Sequence, residues 1–203
     1  MSAYQEALTW IYGLESRGVK LGLVPMQQAL AQRGNPHEGL RYLHVAGTNG
    51  KGSVCAMTER ALRAAGYKTG WFSSPHLHRY VERIRIDGKP IAEAELARRL
   101  FALRDDARLP QLTFFEYTTV AAFEAFREHG CDIVVLEVGL GGRLDSTNVV
   151  TPTVTVVTNI GLDHMHVLGD NVRSIAREKA GIIKGRAPLV TGVRDPVAAA
   201  VMT

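Results

Sequence analysis

The segment HVAGTNGKGSV at residues 44–54 concentrates glycines around a single lysine, between an apolar stretch and a helical pattern. Glycines let backbone N–H groups approach a ligand without obstruction by a Cβ atom. The N-terminus of the helix that follows would present its positive end to the same place, and the lysine would add a mobile ammonium for the outer phosphates. The segment therefore predicts a phosphate-binding loop made of Gly47, Thr48, Asn49, Gly50, Lys51, Gly52 and Ser53.

The spacing of this loop differs from the usual phosphate-loop pattern, G-x-x-x-x-G-K-[ST]. Two residues separate Gly47 from Gly50, and Gly52 follows the lysine directly. A glycine-rich turn without a ligand is the alternative, but the order of strand, lysine and helix favours a nucleotide loop. A second glycine-rich run, at 139–144, does not predict a dinucleotide fold, because Leu144 occupies the third glycine position of G-x-G-x-x-G.

Two polar residues follow apolar runs at the expected carboxyl ends of strands, where α/β sheets bind ligands. Glu137 ends the run DIVVLE, and its carboxylate suits the divalent cation that accompanies a triphosphate. We expect the glycines within 139–142 to leave it uncrowded; a solvated acid is the alternative. His164 follows the next strand, and a ligand and a packed or surface residue are equally good interpretations. Ser74, taken alone, fits a turn before Pro75.

Lys179 lies on the apolar stripe of a helical pattern, four residues after Ile175 and seven after Val172. A lysine that snorkels at the helix end is the commoner situation. The alternative is a partly buried amine with a lowered pKa, and a neutral amine can react with carbon dioxide to form a carbamate. Periodicity supports only the unusual burial.

The segment TFFEYTT, residues 113–119, combines aromatic rings, hydroxyls and one acid. An aromatic pair beside a hydrogen-bond acceptor suits a flat heterocycle. An equally good interpretation is a helix start, with Thr113 as N-cap and Glu116 closing a capping box. Arg83 and Arg85 could hold an anionic tail, but we favour a solvated, charged strand face for both.

Strand-like and helix-like segments alternate along the chain. The strands are predicted at Tyr42–Ala46, Thr69–Phe72, Asp132–Val138, Thr153–Thr158 and Ala187–Thr191. Helices are predicted near 3–16 and 25–33, over 54–65, around 96–103 and 120–126, and from Val197, after a cap at Asp195. This alternation predicts an α/β fold, a mostly parallel sheet flanked by helices. We expect residues 1–203 to be one domain of a longer protein.

Composition narrows the class of protein. The chain has 203 residues, 46% hydrophobic and 22% charged, with a net charge of +4, as in ordinary globular domains. Scattered basic residues suit a small anionic ligand rather than nucleic acid, and no apolar run is long enough to span a membrane. Cys55 and Cys131 lack metal-ligand spacing, so we expect buried thiols and a cytoplasmic location.

Several segments together resemble one family. GTNGKGS resembles the nucleotide loop of the Mur ligase superfamily and, within it, that of the folylpolyglutamate and dihydrofolate synthases. Five further segments look like that family, in order: SSPHLHRYVERIRIDGKPI (73–91), TFFEYTTVAAFEAF (113–126), EVGLGGRLDSTNVV (137–150), TNIGLDHMHVLG (158–169) and REKAGIIK (177–184). The resemblance implies a P-loop ATP-binding domain like the central domain of Mur ligases. It also implies that the family's C-terminal glutamate-ligase domain is absent from this chain.

The resemblance also implies roles for particular residues. Ser74, Glu137 and His164 would bind Mg²⁺, with a second Mg²⁺ or a K⁺ as a further cation. Lys51 and Lys179 would be catalytic, the latter as a carbamate. The pterin of a dihydropteroate-like substrate would contact Thr113, Phe114, Phe115, Glu116 and Asp145.

The implied reaction joins a folate or dihydropteroate carboxylate to the amino group of L-glutamate. Phosphoryl transfer from ATP gives an acyl phosphate, whose leaving group is phosphate rather than oxide, and the amine then attacks. The small-molecule partners would be ATP, L-glutamate and dihydropteroate or tetrahydrofolate, and we expect a monomer. Two alternatives remain: a peptidoglycan-precursor ligase, against which SSPHL and TFFEY count, and a module that binds nucleotide but ligates nothing.

Overall fold

The computed structural model describes residues 1–18 and 21–202. In this part of the chain, seven strands form one sheet in the order β4-β3-β2-β5-β1-β6-β7. The strands are Arg41–Ala46 (β1), Thr69–Phe72 (β2), Ile84–Ile86 (β3), Lys89–Pro90 (β4), Ile133–Glu137 (β5), Val154–Val157 (β6) and Leu189–Thr191 (β7). The five strands expected from the sequence are present, with ends within two residues of those predicted.

Most of the sheet is parallel. Strands β2, β5, β1, β6 and β7 run in one direction, while β3 is antiparallel to β2 and β4 to β3. The β3–β4 hairpin turns at Asp87 and Gly88, whose φ angles are 49° and 77°, the left-handed pair that a two-residue hairpin requires. The predicted α/β class is confirmed, and the hairpin is an addition to it.

Eight α-helices occur within the described residues. They are Ala3–Tyr12 (α1), Val24–Gln32 (α2), Lys51–Ala64 (α3), Glu93–Arg104 (α4), Phe114–Glu128 (α5), Met165–Leu168 (α6), Val172–Ala180 (α7) and Pro196–Met202 (α8). Short 3-10 helices lie at Glu15–Arg17, Tyr80–Arg83 and Ser146–Val149. The helix predicted near 3–16 ends early because the chain turns at Gly13 before the first 3-10 helix. None of the described helices has the length and hydropathy to cross a membrane.

Helices cover both faces of the sheet. On β5, Val134 and Leu136 pack into the large core with α5, whereas Val135 points the other way, to Cys55 of α3. This alternation follows the two-residue repeat of a strand. Gly70 of β2 brings α5 close, because a Cβ there would lie 2.6 Å from the Phe126 ring.

The sheet brings the carboxyl ends of β1, β5 and β6 together. Val45 is paired with Glu137, and Ala46 with Val157. The loops that follow β1, β5 and β6 therefore lie side by side at one edge of the sheet. This edge is where α/β folds form their binding crevice.

Candidate active site

The loop after β1 is held by the residues that follow β6. Gly47 has a φ of 150°, and a Cβ at this position would lie 1.8 Å from the Thr158 hydroxyl oxygen. Only glycine fits there. The same hydroxyl donates to the carbonyl oxygen of Asn49 at 2.7 Å.

Asn159 clamps the loop from the same side. Its carbonyl oxygen accepts from the Thr48 N–H at 3.0 Å, and its side-chain oxygen accepts from the Asn49 N–H at 2.9 Å. The N–H groups of Thr48 and Asn49 thus already donate to Asn159, which follows β6. In this structure they hold the shape of the loop and are not available to a phosphate. Sequence reasoning missed Thr158 and Asn159; a threonine and an asparagine directly after a strand, at the ligand edge, are the signal that points to them.

The amides that remain available belong to the start of α3. Gly50 is the N-cap, with a φ of 79° and no side-chain cap. The first intrahelical bond runs from the Val54 N–H to the Gly50 carbonyl. The N–H groups of the first turn, including those of Lys51, Gly52 and Ser53, thus have no intrahelical acceptor, and they form the anion-binding end of a helix.

Two lysines converge on one carbonyl oxygen. Lys51 Nζ donates to the Gly47 oxygen at 3.1 Å, and Lys179 Nζ donates to it at 3.0 Å. Lys179 is 4% exposed, so it does not snorkel. Burial, followed by the nearby charge of Lys51, lowers the pKa of Lys179 to about 8.

Glu137 lies beneath the start of α3. Its carboxylate is 3.8 Å from the place where a Cβ on Gly52 would be, and it accepts from the Ser74 N–H at 3.4 Å. Burial raises the pKa of Glu137 to about 7, while the Lys51 ammonium opposes that shift. A buried carboxylate in this position is a natural partner for a cation.

The glycines after Glu137 make room for neighbouring helices. A Cβ on Gly139 would lie 2.5 Å from the Phe115 ring, and one on Gly142 would lie 2.7 Å from the Glu178 carbonyl oxygen. These two glycines therefore let α5 and α7 approach the segment that follows β5.

A cavity of about 440 Å³ lies next to Glu137, because Ser74, whose N–H donates to that carboxylate, lines it. Ser74 and His164 line it together with Asp145 and the segment 113–116. His164 has a left-handed backbone (φ 48°), and its half-exposed ring lies 3.6 Å from the Asp163 carboxylate. No group of three or more His, Cys, Asp or Glu residues in 1–18 and 21–202 is placed to hold a metal.

The start of α5 forms one wall of the cavity. The Thr113 hydroxyl accepts from the Glu116 N–H at 3.3 Å, and the Glu116 carboxylate accepts from the Thr113 N–H at 2.7 Å. The capping box is therefore present, and the same residues face the cavity with Phe114 and Phe115. Phe115 is fixed from behind by the Phe72 ring, 5.6 Å away.

Arg83 also lines the cavity, and the expectation of a solvated strand face was wrong for it. Arg83 is 7% exposed, and its guanidinium lies 5.2 Å from the centre of the Phe114 ring. Its Nε donates to His76 Nδ1 at 2.9 Å. None of the ion pairs among the described residues includes Arg83. Arg85, by contrast, is not among the residues that line the cavity, and its guanidinium lies 5.0 Å from the centre of the Trp71 ring.

Asp145 also lines the cavity and is 5% exposed. It caps the 3-10 helix at Ser146–Val149 and accepts from the N–H groups of Thr147 at 3.0 Å and Leu140 at 2.8 Å. Burial raises the pKa of Asp145, and these hydrogen bonds oppose the shift.

Two adjacent regions thus differ in chemistry. One combines a helix N-terminus, two ammonium groups and a buried carboxylate, which suits a polyphosphate with a divalent cation. The other is an aromatic cavity with an arginine and an aspartate, which suits a flat heterocycle carrying an acid.

Comparison with known proteins agrees with this geometry. Residues 45–203 match the Mur ligase middle domain. The chain is 47% identical over 204 residues to the dihydrofolate synthase/folylpolyglutamate synthase of Bacillus subtilis, covering 97% of this chain and 47% of that protein. The structure superposes on E. coli FolC in complex with DHPP and ADP with a TM-score of 0.87 and 42% identity, covering 96% of this chain and 48% of that one.

A further match is the apo form of L. casei FPGS, with a TM-score of 0.90 and 38% identity, covering 98% of this chain and 50% of that one. The chain therefore spans about half the length of the relatives that it matches.

Proposed function

The chain belongs to the Mur ligase middle-domain family, and from this membership we propose that it is the ATP-binding domain of a folylpolyglutamate synthase that also acts as a dihydrofolate synthase. The reaction adds L-glutamate to a dihydropteroate or folate carboxylate at the expense of ATP, through an acyl phosphate. The observation that carries the proposal is that the buried Glu137 lies between two regions. Its carboxylate is 3.8 Å from the Cβ position of Gly52 in the loop 47–53, and it accepts from the N–H of Ser74, which lines the aromatic cavity.

The loop and α3 bind the triphosphate in this proposal. The free N–H groups at the start of α3 hold phosphate oxygens, while Thr158 and Asn159 keep the loop in shape. Lys51 leaves the Gly47 carbonyl and follows the charge on the transferred phosphoryl group. Catalysis rests on positioning and on charge neutralisation, as in other phosphoryl transfers.

The residues fit a magnesium ion. Glu137 is a buried carboxylate whose raised pKa shows that nearby positive charge does not offset its burial. Ser74 already donates its N–H to that carboxylate. Ser74, Glu137 and His164 would hold Mg²⁺, with a second Mg²⁺ or a K⁺ as a further cation. When bound, the metal neutralises charge on the phosphates.

Lys179 is proposed to carry a carbamate. The ammonium first loses one proton to solvent. The neutral amine then attacks carbon dioxide, so that an N–C bond forms, one C–O π bond breaks, and a second proton leaves to solvent; the two steps together turn a cation into an anion. A pKa of about 8 makes an appreciable fraction of the amine neutral at physiological pH. The carbamate would replace the present contact with Gly47 and help to organise the cation region.

The cavity would take the pterin and its acid. The pterin would contact Phe114 and Phe115, Thr113 and Glu116, and Asp145, all of which line the cavity. Arg83 is a buried cation with aromatic neighbours and no acidic partner among the described ion pairs, so it suits the substrate carboxylate. We further propose that the protein is a cytoplasmic monomer that acts on small molecules only.

The test is glutamate-dependent phosphate release from MgATP in the presence of dihydropteroate, together with direct binding of both substrates. We expect both substrates to bind to this chain, and phosphate release that requires dihydropteroate and glutamate once the chain is extended by the glutamate-ligase domain that the family resemblance implies. Binding of both substrates without release would identify a binding module. Failure of dihydropteroate to bind, with the nucleotide bound, would refute the assignment of the cavity.

A further inference from the structure

A buried histidine lies behind the wall of the cavity and has no part in the function proposed above. His44 belongs to β1, is fully buried, and has its Nε2 2.9 Å from the Thr147 hydroxyl oxygen. Its Nδ1 has no hydrogen-bond partner in the described part of the chain. Buried polar groups usually have a hydrogen-bond partner, so a buried ring nitrogen without one is unusual.

Counting protons fixes the direction of the hydrogen bonds. Thr147 has one hydroxyl proton, which it donates to Asp145 Oδ1 at 2.5 Å. His44 Nε2 must then be the donor to Thr147, and Nδ1 carries the lone pair. The ring is neutral because burial, and secondly the charge of Lys184, lower the pKa of His44 to about 3. A proton relay through His44 is thereby excluded, since the ring does not become charged near neutral pH.

The chain of hydrogen bonds ends at a residue of the cavity. Oδ1 of Asp145 accepts from both the N–H and the hydroxyl of Thr147, and Oδ2 accepts from the Leu140 N–H. The hydroxyl bond is 2.5 Å long, the usual length of a hydroxyl donor to a carboxylate. The carboxylate is thereby fixed in rotation while it lines the cavity.

We propose that His44 and Thr147 are positioning residues that orient the Asp145 carboxylate toward the flat heterocycle of the substrate. This inference rests on the proposed function, because it requires that the cavity take a pterin. His44 keeps the Thr147 hydroxyl proton directed at Asp145, and neither side chain touches the substrate.

The first arm of the experiment compares two substitutions of Thr147 by the fluorescence of bound dihydropteroate. Thr147→Val keeps the shape and loses the hydroxyl, whereas Thr147→Ser keeps the hydroxyl. Since a hydrogen bond to a charged group is removed, we expect Thr147→Val to weaken binding about 10-fold or more, and Thr147→Ser to stay within about 3-fold of wild type. Binding of an ATP analogue reports folding and should be unchanged in both. Equal dihydropteroate affinities for the two variants would overturn the proposal.

The second arm covers the possibility that Thr147→Val does not fold. The amide nitrogen of glutamine reaches the position of a histidine Nε2, and that of asparagine reaches the position of Nδ1. His44→Gln should therefore preserve dihydropteroate binding, and His44→Asn should weaken it. The opposite ranking would contradict the proposed direction of the hydrogen bonds.

The third arm needs no substrate. The ¹⁵N chemical shifts of the His44 ring should show a protonated Nε2 and a bare Nδ1 from pH 5 to 8; a bare Nε2 would overturn the inference. If wild type failed to bind dihydropteroate, the proposed function would fall, while the NMR result would still report the hydrogen-bond direction by itself.

Discussion

Replacing Glu137 by glutamine should stabilise the metal-free protein, and the gain should depend on pH. Glu137 is 4% exposed. The Lys51 ammonium is the nearby positive charge that stabilises its ionised form, but it does not cancel the effect of burial on the pKa. In the absence of a bound cation, the folded state therefore holds an ionised carboxylate in an unfavourable place. Glutamine has nearly the same shape and no charge.

The magnitude follows from the pKa of Glu137, which is about 7 in the folded protein against 4.5 in the unfolded chain. Between these values the folded state binds more protons than the unfolded state, so wild-type stability falls as pH rises through this window. With 1.36 kcal/mol per unit of pKa, Glu137→Gln should exceed wild type by about 3 kcal/mol at pH 8 and by less than about 1 kcal/mol at pH 5.

Urea unfolding with a chelator present, at pH values from 5 to 8, measures this difference. The control is Glu93→Gln, since Glu93 is a surface glutamate in an exposed ion pair with Arg79, and it should change stability by less than about 0.5 kcal/mol at every pH. A pH-independent difference between Glu137→Gln and wild type, or a less stable variant at pH 8, would refute the burial argument.

Three further predictions concern the same site. In buffer free of carbon dioxide, the free energy of unfolding of wild type should rise by about 2.5 kcal/mol relative to that of Lys179→Met between pH 8 and pH 10.5, as measured by urea unfolding. The reason is that the Lys179 pKa is about 8 in the folded protein and 10.5 in the unfolded chain, so the unfolded state binds more protons in that window. Gly47→Ala should lower the melting temperature by several degrees, since its Cβ would lie 1.8 Å from a hydroxyl oxygen. Gly52→Ala should melt near wild type, since its Cβ would be in ordinary contact at 3.8 Å from the Glu137 carboxylate, but it should bind MgATP more weakly, because the added methyl group lies where the phosphates and the cation are proposed to bind. Arg83→Leu should weaken dihydropteroate binding at least about 10-fold in a fluorescence titration and leave ATP-analogue binding unchanged.

Local patterns predicted most of the fold. The run DIVVLE became β5, buried on every residue, because an apolar run of that length bounded by polar residues favours a central strand. Thr113 and Glu116 marked the start of α5 through a capping box that the structure contains. Each of these signals lies within one short segment, where spacing alone carries the information.

Features that depend on distant neighbours could not be predicted in the same way. Arg83 looked like a solvated residue in an alternating strand, but it belongs to a 3-10 helix that directs it between aromatic rings. That the missing side chain of Gly139 accommodates Phe115, which is remote in sequence, is likewise visible only in the structure.

The sequence proposes the residues of the candidate site, whereas their contacts come from the structure. The helical spacing left two interpretations of Lys179, a snorkelling lysine and a buried amine, and the structure shows the buried amine. That Lys179 shares the Gly47 carbonyl with Lys51 depends on how α7 packs. Asn159 is polar at a strand end like many other residues, and its role becomes visible only once β6 lies beside β1.

A crystal structure of this chain with Mg²⁺ and a non-hydrolysable ATP analogue tests the central claim most directly. The β- and γ-phosphate oxygens should accept hydrogen bonds from the N–H groups at the start of α3, with Lys51 turned toward the γ-phosphate. The metal should lie about 2.1 Å from a carboxylate oxygen of Glu137. A nucleotide bound elsewhere, or a metal held without Glu137, would contradict the account.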